Sequence, residues 1–207
     1  MTKIYSDETE TVPFLTQMKL PRFAILEVLS SVAGERANVR DGIDPPSATG
    51  YETWRWGTRF LREHEALAKN EWQICERDQV SGIFNAKLNI KLTMLPTDSN
   101  TGTAKSPRNA TIKGPSTCKL IDHNSGQGNF SFIKSEQPPA LWCLCTYFCD
   151  FYVAAEISRP SMQVNGFVRD YSDRIIVAKP FEIPGIKKRH SVPEEYAEVA
   201  RPIVKRK

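Results

Sequence analysis

The strongest constraint on the fold is an alternation of polar and apolar residues in the middle of the chain. In VSGIFNAKLNIKLTM, residues 80–94, every even position from Val80 to Met94 carries an apolar side chain or glycine. Every odd position of residues 85–93 is polar. Because successive side chains of a β-strand point to opposite faces, the pattern predicts one long strand with a buried side and a solvent-facing side. Such a strand exceeds the usual five or six residues, so we expect a bend or bulge near Gly82.

Other segments predict the rest of the sheet. WQIC, residues 72–75, suits a short antiparallel neighbour of the long strand. LWCLCTYF, residues 141–148, is apolar along its whole length and predicts a strand buried on both faces. We expect residues 152–160 to return beside it as a hairpin, and residues 166–181 to form a further strand or hairpin.

Two earlier segments predict helices. Residues 21–36 begin with Pro21, which suits the first position of a helix, and have broad apolar coverage. Residues 51–70 are rich in Glu, Arg, Leu and Ala, with apolar side chains on two sides, so we expect a helix wedged between layers. Residues 116–124 indicate one or two helical turns capped by Ser116. The order of elements predicts an α+β fold, with two N-terminal helices packed on a mostly antiparallel sheet of five or six strands.

The length predicts one domain with an appendage. The chain has 207 residues, of which 40% are hydrophobic, enough for a core. We place a single α+β domain at residues 1–186, with a loose terminus at 1–13 and a long polar loop at 96–115. Residues 187–207 hold seven Lys or Arg and three Glu, and the difference equals the whole formal net charge of +4. This basic tail predicts an acidic partner such as nucleic acid, with a solubilising role as the alternative.

Several classes of protein do not fit the sequence. There is no apolar run of eighteen residues, so we expect no membrane span, and the polar N-terminal residues do not resemble a signal peptide. Five cysteines, an odd number, predict free thiols in a reducing compartment, and we expect a cytoplasmic protein. The motifs of phosphate-binding loops, zinc proteases and esterases are missing from the sequence. No motif indicates a cofactor.

Three cysteines form a C-x-C-x-x-x-C motif in the predicted core strand. Cys143 and Cys145 would share one face of that strand, close enough to bind a soft metal, and Cys149 follows. A structural zinc needs a fourth ligand, which Cys118 or His123 would have to supply from a distance. Because cysteine is among the most buried residue types, we interpret these residues as core and predict no metal site.

Three arginines recur on one face of the second predicted helix. Arg55, Arg59 and Arg62 are spaced i, i+4, i+7, and Trp54 and Trp56 flank them. A row of guanidinium groups beside aromatic rings can follow a phosphate backbone and stack on bases. The alternative is a solvated face in which neighbouring glutamates form local ion pairs.

Further cations complete the candidate set. One pair lies on the outer face of the predicted long strand, and three lie in the polar loop TDSNTGTAKSPRNATIKG, residues 97–114, where small residues let the backbone approach an anion. Loops of this length are usually functional or disordered. A last group opens the basic tail. These residues are Lys87 and Lys91; Lys105, Arg108 and Lys113; and Lys187, Lys188 and Arg189.

The sequence therefore predicts a nucleic-acid-binding protein that contacts mainly the phosphate backbone, as one subunit of a larger complex. An enzyme of an unfamiliar class is an alternative, with Asp98, Asp122 or Glu156 as candidate acids. The other alternative is a structural subunit that binds a protein partner through an exposed apolar patch containing tryptophan.

Overall fold

The computed structural model describes residues 2–40, 42–76, 79–126, 138–149 and 152–181. Within these ranges the strands are β1 (Lys3–Tyr5), β2 (Trp72–Cys75), β3 (Gly82–Asn85), β4 (Ile90–Pro96), β5 (Ala140–Phe148), β6 (Val153–Val164) and β7 (Phe167–Phe181). The helices are α1 (Glu8–Gln17), α2 (Arg22–Arg36), α3 (Ala48–Glu63), α4 (Glu65–Lys69) and α5 (Pro115–Asn124). The predicted basic tail, including Lys187, Lys188 and Arg189, lies outside the described residues.

The seven strands form one mixed sheet in the order β1-β7-β6-β5-β4-β3-β2. The pairs β1–β7 and β4–β5 are parallel, and the other four pairs are antiparallel. A parallel pair needs a crossover connection, and the chain between β4 and β5 supplies one that contains α5. The α+β class and the mostly antiparallel pairing are confirmed. The predicted architecture of two N-terminal helices on five or six strands is wrong, because the described residues form five helices and seven strands.

The N-terminal residues account for part of this error. We expected a loose terminus at 1–13, but β1 pairs with β7 at one edge of the sheet and α1 follows it. Phe14 of α1 lies 4.8 Å from the ring of Tyr5 and 6.3 Å from the ring of Trp142, and Leu15 is buried. Short segments such as these carry little periodicity of their own, so contacts with distant residues decide their structure.

The predicted long strand at 80–94 is a hairpin and is the second source of error. Residues 86–89 form the turn between β3 and β4, which pair antiparallel. The side-chain oxygen of Asn85 accepts a hydrogen bond from the backbone N–H of Leu88 at 3.2 Å, and Asn89 has a φ of 50°. Asparagine favours such turns because its side chain bonds the nearby backbone and it tolerates positive φ. The alternation of polar and apolar residues therefore continues through a turn in which the chain reverses.

Most of the remaining elements are confirmed. β2 pairs antiparallel with β3, β5 is buried on both faces over most of its length, and β6 returns beside β5. The predicted helix at 51–70 breaks at His64, whose extended backbone and side-chain Nδ1 cap α4. Helix α5 is capped by Gly114 rather than by Ser116.

Both faces of the sheet are covered. Helices α1 to α4 and the inner side chains of the strands form the main core, which includes Leu29, Leu61 and Ile157. Gly57 lets α3 approach β4 closely, because a Cβ there would lie 2.5 Å from the Cε of Met94. A second cluster on the opposite face contains Leu120 of α5. No helix in the described ranges is long and apolar enough to cross a membrane.

Candidate nucleic-acid interface

The polar segment 97–114 is packed against the second face of the sheet. Thr97, Thr101 and Asn109 are buried, and the hydroxyl groups of the two threonines lie 2.7 Å apart. The carboxylate of Asp98 accepts hydrogen bonds from the backbone N–H groups of Asn100 and Arg108, at 3.1 and 3.2 Å. These internal hydrogen bonds give the segment a defined conformation.

A buried ion pair anchors this segment to the sheet. Arg174 of β7 donates to Glu156 of β6 at 2.8 Å from Nε and 2.6 Å from Nη2, and neither side chain is exposed. The backbone N–H of Gly102 donates to the Glu156 carboxylate at 2.9 Å, and Nη2 of Arg174 donates to the carbonyl of Thr103 at 3.0 Å. Each charge on the sheet therefore holds one residue of the segment above it.

The turn between β6 and β7 holds the end of the same segment. Asn165 and Gly166 both have positive φ, 53° and 78°, which is typical of a tight hairpin turn. The carbonyl of Gly166 accepts hydrogen bonds from the side chain of Asn109 at 3.1 Å and from the backbone N–H of Lys113 at 2.9 Å. The hairpin turn thus fixes the backbone of Lys113.

Lys113 lies in a cleft between this segment and the start of α3. The cleft has a volume of about 530 Å³. Its walls include Pro46, Tyr51 and Trp54 on one side, and Pro96, Thr111 and Lys113 on the other. A smaller cavity of about 110 Å³ adjoins it, with Trp54 and Lys113 common to both. The volume of the larger cleft falls within the ~300–1,000 Å³ of ordinary ligand sites.

The amino group of Lys113 is half-buried. Burial lowers its pKa from the ordinary value of 10.5. Its Nζ donates a hydrogen bond to the hydroxyl of Thr111 at 3.3 Å, and it forms no ion pair with an acid among the described residues. The cleft therefore contains a cation whose charge no described carboxylate neutralises.

Arg55 and Arg59 lie on the outer face of α3. Their guanidinium carbons lie 4.8 and 5.1 Å from the ring centre of Trp56, so cation–π contacts cover that ring. Arg55 pairs with Glu52 at 3.3 Å, and Arg59 pairs with Glu63 at 2.9 Å. The predicted row of guanidinium groups and the alternative of local ion pairs are thus both present.

Arg62 has a different environment from the other two arginines. Its side chain is mostly covered, and it donates to Glu76 at 2.5 Å and to the carbonyl of Gly82 at 3.3 Å. The pKa of the Glu76 carboxyl is lowered, first by the hydrogen bond from Ser81, then by that from Arg62, and also by the charge of Lys91. Arg62 therefore connects α3 to the β2–β3 hairpin.

The predicted pair of strand lysines is separated. Lys87 is exposed in the turn between β3 and β4 and forms an ion pair with Glu71. Lys91 is fully buried within β4. The predicted exposed position is wrong for Lys91, because residues on the second face of the sheet cover β4.

The two other predicted cations of the polar segment are on its surface. Lys105 and Arg108 are exposed, and within the described ranges neither forms an ion pair. They share the segment with Lys113, which faces the cleft. Five cations were predicted on the long strand and in the polar segment. Of these five, only Lys113 lines the cleft or the smaller cavity beside it.

Cys143 and Cys145 lie in the second core cluster, as predicted. Burial raises the pKa of the Cys143 thiol to about 12 and raises that of Cys145 well above its ordinary value. Among the described residues, no three His, Cys, Asp or Glu side chains lie close enough together to hold a metal ion.

The acids considered for catalysis have structural partners. Asp98 accepts bonds within the polar segment, Asp122 accepts a hydrogen bond from Gln163 at 3.3 Å, and Glu156 is held by the buried arginine. Trp142 is buried in the main core, whereas Trp54 is exposed at the cleft.

Sequence reasoning missed two features of this region. Tyr51 precedes Arg55 and Arg59 at i, i+4, i+8 on the outer face of α3, a spacing that would have added an aromatic ring to the arginine row. Glu156 interrupts the apolar run of residues 153–157 in β6, and Arg174 directly precedes the apolar run of residues 175–178 in β7. A charged residue in such a strand signals a buried ion pair.

The outer face of α3 and the cleft beside it thus combine aromatic rings, guanidinium groups and one partly desolvated lysine. The chain matches no protein-family model, no curated protein and no solved structure, so the assignment of a function depends on this geometry.

Proposed function

We propose that the protein binds nucleic acid, mainly through the phosphate backbone, with the outer face of α3 as the principal contact surface. The observation that supports this proposal is that exposed arginines and exposed aromatic rings share this face. The side chains of Arg55 and Arg59 are 50% and 54% exposed, and Tyr51 is 56% exposed. Phosphate contacts from such arginines supply affinity that does not depend on sequence.

The glutamate partners of the arginines are compatible with this role. Exposed ion pairs contribute only about 0–1 kcal/mol, so a phosphate can replace Glu52 or Glu63 at little cost. Guanidinium groups also bind phosphate in a bidentate geometry that favours the exchange. Lys105 and Arg108, exposed on the neighbouring segment, extend the positive surface. The tail at 187–207 adds four further positive charges in the proposed complex.

The test is fluorescence anisotropy with a labelled mixed-sequence single strand and the matching duplex, measured across a salt series. We expect affinity to fall steeply as salt rises, because counterions are released from the phosphates. The double variant Arg55→Gln/Arg59→Gln should reduce the slope of log K against log salt by roughly 1.5, the sum for two lost contacts.

Lys3→Gln is the control, since Lys3 is exposed on β1, at the opposite edge of the sheet from β2. It should leave the slope unchanged. A variant that lacks residues 187–207 measures separately how much the basic tail contributes to the affinity and to its salt dependence. The proposal fails if neither nucleic acid binds at about 50 mM salt.

A further inference from the structure

We infer that the cleft between Tyr51, Trp54 and Lys113 holds one unstacked base of a single strand, with the neighbouring phosphate on Lys113. This inference rests on the proposed nucleic-acid function and specifies its substrate as single-stranded. Duplex DNA or RNA hides the faces of its bases, whereas a single strand can extend a base into a cleft.

The aromatic wall is open to solvent. Trp54 is 37% exposed, its ring centre lies 6.0 Å from that of Tyr51, and the two rings are tilted by 43°. They do not stack on each other, and within the described part of the chain no guanidinium group lies over the ring of Trp54, in contrast to Trp56. A base can therefore contact these rings, and Pro46 and Pro96 complete an apolar lining.

The opposite wall supplies the matching charge. Among the described residues that line the cleft, Lys113 is the only cation, and its Nζ donates a hydrogen bond to the hydroxyl of Thr111 at 3.3 Å. Its backbone is fixed by the carbonyl of Gly166 at 2.9 Å, so the charged group starts from a defined position. A cation that can bind an anion next to an aromatic surface suits the chemistry of a nucleotide, which joins a phosphate to a base.

The path of the bound single-stranded nucleic acid over the protein surface follows from the same arrangement. Tyr51 lines the cleft, and Arg55 and Arg59 follow it at i+4 and i+8 along the same side of α3. A strand with one base in the cleft would therefore continue along these two arginines. A free nucleotide would use only the cleft, so strand and nucleotide differ in their dependence on Arg59.

The experiment compares the full-length protein with Tyr51→Ala and Trp54→Phe, using the labelled single strand, the matching duplex and a mononucleotide competitor. We expect tighter binding of the single strand than of the duplex. Tyr51→Ala should weaken single-strand binding by about 5- to 150-fold, as expected for the loss of one base–aromatic stack, and should weaken duplex binding far less because a duplex offers no free base to stack. The strand should quench tryptophan fluorescence less in Trp54→Phe than in the unmodified protein.

Phe23→Ala is the matched control, because Phe23 is 55% exposed and contacts His64 beyond the opposite end of α3. Phe23→Ala should change neither the affinity for the single strand nor the affinity for the duplex. Equal losses for single strand and duplex in Tyr51→Ala would overturn the inference while the proposed function stands. Mononucleotide binding as tight as strand binding, and independent of Arg59, would also overturn it in favour of a nucleotide site. Absence of binding to both nucleic acids would remove the inference together with the proposed function.

Discussion

Arg174 donates two hydrogen bonds to the carboxylate of Glu156, at 2.8 and 2.6 Å, in an ion pair with no exposed surface. The hydroxyl of Ser158 donates a third hydrogen bond to the same carboxylate at 2.6 Å. The pair lies directly beneath Gly102 and Thr103, so the stability of the sheet and the position of the polar segment depend on the same two charges.

Removing one of these charges should be far more harmful than removing both. Arg174→Met leaves the Glu156 carboxylate buried without its partner, and we expect the free energy of unfolding to fall by about 3–5 kcal/mol. The double variant Arg174→Met/Glu156→Leu should recover a large part of that loss, because no uncompensated charge remains. Urea unfolding followed by circular dichroism measures both values. A loss under about 1 kcal/mol in Arg174→Met would contradict the assigned role of the pair.

The turn at Gly166 should be essential for the position of Lys113. Its φ of 78° strains any other residue, and a Cβ there would lie 2.6 Å from Cγ2 of Ile112 and 2.7 Å from the carbonyl oxygen of Lys113. We expect Gly166→Ala to lower the free energy of unfolding by more than the ~1–3 kcal/mol of backbone strain alone. It should also weaken single-strand binding.

Gly42→Ala separates these two effects. Gly42 has the same φ of 78°, but apart from its chain neighbours no described residue has an atom within 4 Å of its Cβ position. This variant should show the backbone strain without a loss of binding. Equal effects of both variants on stability and binding would show that the contact with Lys113 has no role.

Binding should depend on pH through Lys113. Burial lowers the pKa of Lys113 below 10.5 in the free protein, and a bound phosphate would raise it again. The affinity for the strand should therefore be greatest at pH values below the lowered pKa and should decline as the pH rises through that pKa. This decline should begin at a lower pH than it would for a lysine with an ordinary pKa. Anisotropy titrations from about pH 7 to about pH 10 measure this decline.

Lys113→Arg provides the control for this pH dependence. Arginine keeps its charge across the range, so the variant should bind with an affinity that is flat with pH. A decline of the same size in Lys113→Arg would assign the titration to another group.

The five cysteines should differ in reactivity. Cys143 and Cys145 are buried free thiols with raised pKa values, about 12 for Cys143, so almost no reactive thiolate forms at about pH 8. We expect a thiol reagent to modify neither in the folded protein, whereas the half-buried Cys75 and Cys149 react. Mass spectrometry of the labelled peptides identifies the sites, and unfolded protein, in which all five should react, is the control. Equal labelling rates for Cys143 and Cys75 in the folded protein would contradict this burial.

The local elements could largely be predicted from the sequence. The helix expected at 21–36 is α2, and the apolar run expected at 141–148 is β5. In both segments most of the apolar residues are buried. The type of element can therefore be predicted without knowledge of distant contacts. Arg55 and Arg59 lie on one exposed face of α3, as helical spacing predicted, whereas Arg62 of the same predicted row is mostly covered.

The position of the chain reversal between β3 and β4 could not be predicted from the sequence pattern. In residues 80–94 the alternation continues through a turn, and Asn85 and Asn89 appear as polar members of a strand rather than as turn residues. Alternation reports which face a residue occupies, and it carries no information on the direction of the chain. The prediction of a single strand failed for this reason.

Local sequence patterns were enough to predict α2, α3, α5, most of the strands and the placement of Arg55 and Arg59 on one face of α3, since each depends on neighbours a few residues away. They did not predict β1 or α1. Tertiary structure alone decided that Lys91 is buried, that Glu156 meets Arg174, and that Lys113 shares a cleft with Trp54. These contacts join segments far apart in the chain. The Glu156–Arg174 pair depends on the register of β6 against β7. The position of Lys113 depends on the crossover between β4 and β5, which brings the polar segment onto the second face of the sheet, and no local pattern encodes that placement.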